Sequence, residues 1–352
     1  MKNRKIYHQS NFPIFQNRMY RTAEEARRCP TGNISLIENG ETGLIYNEAF
    51  IASLLDYDSS YQNEQSHSHT FKRHIEEVAD LIENKIGRKK LIEIGCGKGT
   101  FLELLLSRGA DVIGFDPAYE GSNPLIQRDY FTGLLKTKGD GLILRHVLEH
   151  IPEPVHFLNM LSKSNDGKGY IYIEVPCFDW IINNGAWFDI FYEHVNYFRL
   201  VDFYRIFKNI IHSTHTFGGQ YLSVIADLSS LRKPEANYKQ TIDFPKDFNR
   251  LSKIRKKSDT NRNIVVWGGS SKGVIFSLLS ERNGFPVRRI IDINPEKQGQ
   301  YIPGTGLRVM SPAEGLKDLP KNSLIYVMNP NYLEEVCAMA GPNFICKGPY
   351  DD

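Results

Sequence analysis

Leu91-Ile92-Glu93-Ile94-Gly95-Cys96-Gly97-Lys98-Gly99-Thr100 decides the fold. A short apolar run ends in a glycine-rich turn, and Phe101, Leu102, Leu104, Leu105 and Leu106 follow with the spacing of an apolar helix face. Strand, tight turn and helix in that order open a doubly wound α/β domain. The glycines let the backbone pass close to a ligand where a Cβ would clash. A second apolar run, Val112-Ile113-Gly114-Phe115, delivers Asp116 and Pro117 to its end. A carboxylate there can accept hydrogen bonds from ribose hydroxyls.

Outward from this turn the same alternation continues. Phe71, Ile75, Val78, Leu81 and Ile82 mark a helix leading to the Leu91 strand. Leu142-Ile143-Leu144 reads as a buried strand, Pro154 to Leu161 as a helix and Tyr170 to Val175 as another strand. Such alternation predicts a parallel sheet with helices on both faces. Val201 to Phe207 reads as a helix and Tyr221 to Leu228 as a strand. A second, smaller module repeats the pattern: Ile264-Val265-Val266-Trp267, the turn Gly268-Gly269-Ser270-Ser271-Lys272-Gly273, a helix from Val274, and a strand delivering Asp292. We therefore expect four parts: a polar, irregular N-terminal segment over 1–70, an α/β domain over 71–228, a basic linker over 229–262 with a helix from about Phe248 to Lys257, and a Rossmann-like module over 263–352.

Composition narrows the function. A chain of 352 residues with 41% hydrophobic and 24% charged residues is an ordinary globular protein. A net charge of +2 gives no field for nucleic acid or membrane surfaces. The basic N-terminus has no apolar segment behind it, so no signal peptide is expected, and no apolar run approaches a membrane span. Cys29, Cys96, Cys177, Cys337 and Cys346 are scattered, with no C-x-x-C pair, as expected of reduced thiols in the cytoplasm.

The turn spacing, E-x-G-x-G-x-G, resembles the first motif of class I S-adenosylmethionine (SAM) methyltransferases; a dinucleotide site, with G-x-G-x-x-G, is the alternative. The resemblance implies that Glu93, Gly95 and Gly97 line the methionine part of SAM and that Asp116 holds the ribose, with Pro117 beside it. Asp129 and Tyr130 are candidates for the adenine edge, with a solvated loop carboxylate as the other reading of Asp129. Leu144-Arg145-His146-Val147-Leu148-Glu149-His150-Ile151 follows a strand, which brings Arg145 and His146 to the ligand edge of the sheet. His146 and His150 are four apart, but no third ligand is spaced to complete a metal site, so no metal is expected.

Phe188-Asp189-Ile190-Phe191-Tyr192-Glu193-His194-Val195-Asn196-Tyr197-Phe198 crowds a carboxylate, an imidazole and phenols among aromatics. An imidazole in apolar surroundings beside a carboxylate can be tuned as a general base. Tyr192-Glu193-His194 is costly to bury without partners; the alternative is an aromatic core segment with a satisfied histidine.

With that segment, H-V-L-E-H-I, Glu174-Val175-Pro176, W-G-G-S-S-K-G from Trp267 and the stretch Asp292 to Thr305, the chain resembles the deoxysugar C-methyltransferases over most of its length. The resemblance implies SAM as cofactor, a nucleotide-linked keto sugar as substrate, Glu193 and His194 as the catalytic pair, His150 near the reacting sugar, and Tyr61 facing it. A second tyrosine of the family falls on Phe191, with Tyr192 beside it. Lys272 is a candidate for the nucleotide diphosphate. Family members open with a four-cysteine zinc domain; only Cys29 stands in the first ninety positions here, so a structural zinc is not expected. An O- or N-methyltransferase and a non-catalytic binding protein are the other classes these residues allow.

Overall fold

A computed structural model describes residues 2–55, 67–131, 138–248 and 264–349. Tyr61 and most of the expected linker helix lie outside these residues. Three sheets organise the chain. The N-terminal one is antiparallel, from β1 (Arg4–Pro13), β2 (Thr31–Glu38) and β3 (Ile45–Asn47). The sequence predicts an irregular segment with short strand-like pieces such as Gly43-Leu44-Ile45-Tyr46; Ile45 and Tyr46 do fall in β3, while β1 and β2 go beyond that expectation. Residues 45–47 form β3, and Leu36 and Ile37 face them across the β2–β3 pair as Asn47 and Tyr46 partners.

The central sheet has the order β6-β5-β4-β7-β8-β10-β9. Its strands are β4 (Leu91–Ile94), β5 (Val112–Phe115), β6 (Ile126–Gln127), β7 (Gly141–Arg145), β8 (Tyr170–Pro176), β9 (Ile210–Thr216) and β10 (Tyr221–Asp227). The first five are parallel, and β10 runs antiparallel to both β8 and β9. The helix His69–Lys85 precedes β4. Ser68 caps it by accepting from Phe71 N–H (3.3 Å), and Phe71, Ile75, Val78 and Ile82 form its buried stripe.

The third sheet is wholly parallel, in the order β13-β12-β11-β14-β15: β11 (Val265–Trp267), β12 (Arg289–Ile291), β13 (Val309–Met310), β14 (Leu324–Val327) and β15 (Ile345–Lys347). This is the order of the first five strands of the central sheet. The likeness extends to one contact: Gly97 N–H donates to Asp116 and Gly269 N–H to Asp292, each at 2.7 Å.

The aromatic segment joins the three parts. Trp187 stacks on Phe276 of the C-terminal helix Ser271–Arg282 (5.4 Å, 16°), and both belong to one core with Phe12, Ile34 and Leu36 of the N-terminal sheet. Each such buried side chain contributes about 1.5–3 kcal/mol relative to exposure. Residues 229–248 are tied down rather than freely linking: Ile242 N–H donates to Glu38 (3.0 Å), and Arg199 and Arg205 hold Gln240.

Gly32 of β2 leaves room for the Tyr192 ring, which a Cβ there would overlap. Gly32→Ala is therefore expected to destabilise the protein by about 1–3 kcal/mol through overpacking. An unchanged denaturant midpoint would contradict this contact.

Candidate active site

The ligand edge of the central sheet lies where β4 and β7, adjacent and parallel, send their following connections to opposite sides. At the end of β4 the chain turns through Gly95 (φ 74°), Gly97 (φ 55°) and Gly99 (φ 82°), left-handed values that glycine adopts without strain. A side chain on Gly95 would strike Val147, whereas Gly97 faces open space, with nothing within 4 Å of a built Cβ. Glu93 is buried, and its Oε2 has no hydrogen-bond partner among the described residues. Burial pushes its carboxyl up to about 8; Arg145 opposes that shift and Asp116 adds to it. An unpaired buried carboxyl beside an open glycine turn fits a ligand carrying positive charge, as the sulfonium and ammonium of SAM do.

Asp116 accepts from Gly97 N–H (2.7 Å) and Ala118 N–H (2.8 Å), so its carboxylate also holds the glycine turn in place. Burial raises its proton affinity and these two donors lower it. Pro117, Asp129 and Tyr130 are exposed. Asp129 accepts from Tyr130 N–H (2.7 Å), and Tyr130 is 66% exposed at the rim.

Arg145 and His146 converge on Glu174, a fully buried carboxylate of β8. Arg145 Nη2 donates to its Oε1 (3.0 Å) and Tyr172 OH to its Oε2 (2.9 Å); His146 Nε2 and His74 Nε2 each lie 3.1 Å away. Burial favours the neutral acid, but Arg145, His146 and His74 outweigh it and hold Glu174 well below the usual carboxylate range. His146 has φ 53°, an uncommon value for a residue with a side chain. Burial works against its charge, yet Glu149 and Glu174 hold it up at about 9. Glu174 and His74 are thus parts of the site that the motif reading missed; the E-V-P string was visible, but the pairing spans three separate segments.

The second cluster is formed where residues 148–150, a single 3-10 turn, meet the aromatic segment. Val195 N–H and Asn196 N–H both donate to the Glu149 carbonyl (2.8 and 3.0 Å), and His150 Nδ1 donates to the Glu193 carbonyl (2.9 Å). The rings of His150 and His194 meet edge to face at 4.9 Å, with Phe191 4.0 Å from His194. Donor atoms of Glu149, His150 and His194 lie within 4.8 Å of one another. This, not the His146–His150 pair, is where such atoms gather. Burial holds both imidazoles below their ordinary proton affinity; for His194, neighbouring His150, His146 and Lys272 add to the effect.

Three of the candidate residues make contacts within the chain that the sequence does not foretell. Glu193 turns its Oε2 onto Gln16 N–H (2.8 Å), so its side chain is anchored to the N-terminal segment. The Tyr192 hydroxyl accepts from Ile51 N–H (2.9 Å), and its ring packs on the N-terminal sheet at Gly32. The Lys272 ammonium is held by Asp189 (2.9 Å) and Gln220 (2.8 Å), tying the C-terminal helix to the central domain.

An open glycine turn, a buried carboxyl with one oxygen lacking a hydrogen-bond partner among the described residues and a strand-end aspartate on a doubly wound sheet fit a SAM-dependent methyltransferase. Residues 66–210 match the family model described as a methyltransferase domain, and residues 232–345 match that of a C-methyltransferase C-terminal domain. The chain thus joins a SAM-dependent methyltransferase domain to a C-methyltransferase C-terminal domain. It is similar to the C-methyltransferase NovU of Streptomyces niveus, 22% identical over 299 residues, covering 73% of this chain and 71% of that protein. Among solved structures it is similar to the 1,6-didemethyltoxoflavin-N1-methyltransferase of Burkholderia thailandensis (14% identity, TM-score 0.34, 46% of this chain and 81% of that one). It is also similar to the magnesium protoporphyrin IX methyltransferase of Synechocystis (18% identity, TM-score 0.34, 45% and 82%).

Two predictions follow from the SAM turn. Asp116→Ala should weaken SAM binding by about 1.5–3 kcal/mol, the range for a hydrogen bond to a charged group; unchanged affinity by calorimetry would remove Asp116 from the site. Glu93 is neutral below its raised value of about 8 and ionised above it. Affinity for the cationic cofactor should therefore rise with pH through about 8, and Glu93→Gln should flatten that rise. In the ligand-free protein the sign is opposite. The folded state keeps the Glu93 proton longer than the unfolded chain does, so stability falls from about pH 4.3 up to about 8. A Glu93→Gln protein with the same pH dependence of affinity as wild type would contradict this.

Proposed function

We propose that the chain transfers a methyl group from SAM to a carbon atom of a nucleotide-linked keto-deoxysugar. The observation that carries this reading is the His150–His194 pair: His194 is buried, and half-buried His150 stands three residues after Val147, which packs against the Gly95 turn. A ketone acidifies the neighbouring C–H. His194, kept neutral by burial, is suited to take that proton. The C–H electrons pass into an enolate, and the imidazole becomes an imidazolium. SAM supplies the electrophilic methyl.

Because a carbonyl only accepts, His150 carries its proton on Nδ1, where it meets the Glu193 carbonyl. A neutral His150 therefore presents a lone pair at Nε2. That suits a sugar hydroxyl better than an oxyanion. Residues from all three parts border this cluster: Gln16 from the N-terminal segment, Asp189 from the aromatic segment and Lys272 from the C-terminal helix. We assign the C-terminal module to the nucleotide end of the substrate, with Lys272 beside its glycine turn.

His194→Ala should lower the catalytic rate roughly 10²–10⁴-fold and leave SAM affinity nearly intact, since the glycine turn lies on other elements. With a SAM analogue lacking a transferable methyl, wild type should exchange the substrate's α-proton with heavy water and the variant should not. Normal turnover in the variant would overturn the assignment; loss of SAM binding together with activity would mark a structural histidine instead.

A further inference from the structure

We infer that Glu149, rather than Glu193, is the carboxylate that serves the His150–His194 pair, acting as a positioning residue that meets the imidazolium formed on His194. This rests on the reading of His194 as the base. The expected partner, Glu193, has its Oε2 on Gln16 N–H, facing the N-terminal segment. Glu149 is buried, 1% exposed, and His146 Nδ1 approaches its Oε1 at 3.4 Å, longer than a well-formed hydrogen bond. A carboxylate that dry is costly to bury unless positive charge meets it, and His146, shared with Glu174, meets it only at that longer distance. One of its oxygens lies within 4.8 Å of a ring nitrogen of both His150 and His194, so such a charge would appear there during proton transfer.

The remaining charged neighbours are consistent with that role. His146 Nδ1 lies 3.4 Å from Glu149 Oε1, while its Nε2 faces Glu174, which Arg145 and His74 also approach. On the far side of His194, Lys272 is paired with Asp189. Glu149 is thus the carboxylate facing the reacting imidazole from the turn at 148–150. The proton balance is simple. The substrate C–H bond breaks, an N–H bond forms on His194, the electron pair stays on the enolate, and Glu149 acts on the imidazolium without taking the proton.

The backbone supports a clean test. Val195 and Asn196 bond to the Glu149 carbonyl, which Glu149→Gln leaves in place. In the full-length protein, Glu149→Gln should lower kcat at least about tenfold, with KM for SAM nearly unchanged. It should also move the acid limb of the pH–rate profile to lower pH by about one to three units, because removing a nearby negative charge disfavours the imidazolium. Glu149→Asp should restore part of the rate, and α-proton exchange should fall in step with kcat. Glu193→Gln should leave the acid limb where it is.

The opposite pattern, with the limb moved by Glu193→Gln and not by Glu149→Gln, would overturn the inference while leaving His194 as base. A loss of thermal stability in Glu149→Gln without any shift of the limb would make Glu149 structural and also overturn it. So would a divalent cation that co-purifies stoichiometrically with wild type, is lost in Glu149→Gln, and restores activity when returned to chelator-treated enzyme, since Glu149 would then be a metal ligand. Failure of the base reading itself is distinguishable, because it appears as normal turnover in His194→Ala.

Discussion

The site depends on one short stretch of backbone held from both sides. Val195 and Asn196 donate to the Glu149 carbonyl, while Tyr197 N–H donates to Ile45 O (3.0 Å) and Asn47 N–H to Val195 O (2.8 Å). The stretch around His194 is thus laced to the turn after β7 on one side and to β3 on the other. Asn196 adds its side chain, donating to Ile151 O (2.6 Å). A segment so held cannot shift without breaking several buried hydrogen bonds, each about 1 kcal/mol net and more if left unpaired. Positioning of His194 therefore depends on the N-terminal sheet as much as on the methyltransferase domain, although that sheet adds no side chain to the SAM turn.

The charges nearby are arranged in two tiers. Glu174 is saturated: a guanidinium, a phenol and two imidazoles surround it, and it stays ionised. Glu93 Oε2 has no hydrogen-bond partner among the described residues, and Glu149 is approached by His146 only at 3.4 Å. The saturated carboxylate fixes Arg145 and His146 at the sheet edge, and the unsaturated ones face the places where positive charge is expected, the cofactor at Glu93 and a protonated histidine at Glu149. Charges arranged before the reaction need not reorganise when it occurs.

Much of the core was legible because β–α alternation is a local signal. The strands at Leu91, Val112 and Tyr170 and the two glycine turns announce themselves within a few residues. β9 was not legible, since Ile210-Ile211-His212-Ser213-Thr214-His215-Thr216 is a partly exposed edge strand with little apolar alternation. β1 was obscured by register shifts between Lys5 and Tyr7 and between Gln9 and Phe12, which interrupt a period of two. At the site, the residue types in Tyr192-Glu193-His194 were informative, but their partners were not. Ile51, Gln16 and His150 lie from 43 to 177 positions away, and only the fold brings them together. Glu149 itself stood in plain view in H-V-L-E-H-I; nothing local distinguishes a carboxylate that faces a histidine pair from one that faces water.

The identity of the bond formed tests the account most directly. Incubating the enzyme with SAM carrying a ¹³C methyl and a nucleotide-linked 4-keto-deoxysugar, then recording the carbon spectrum of the product, distinguishes the possibilities. The account predicts a methyl signal in the C–CH₃ region, with long-range proton correlations to the carbon next to the ketone. A labelled methyl with the shift of a methoxy or N-methyl group, or no transfer to any keto sugar despite tight SAM binding, would contradict it.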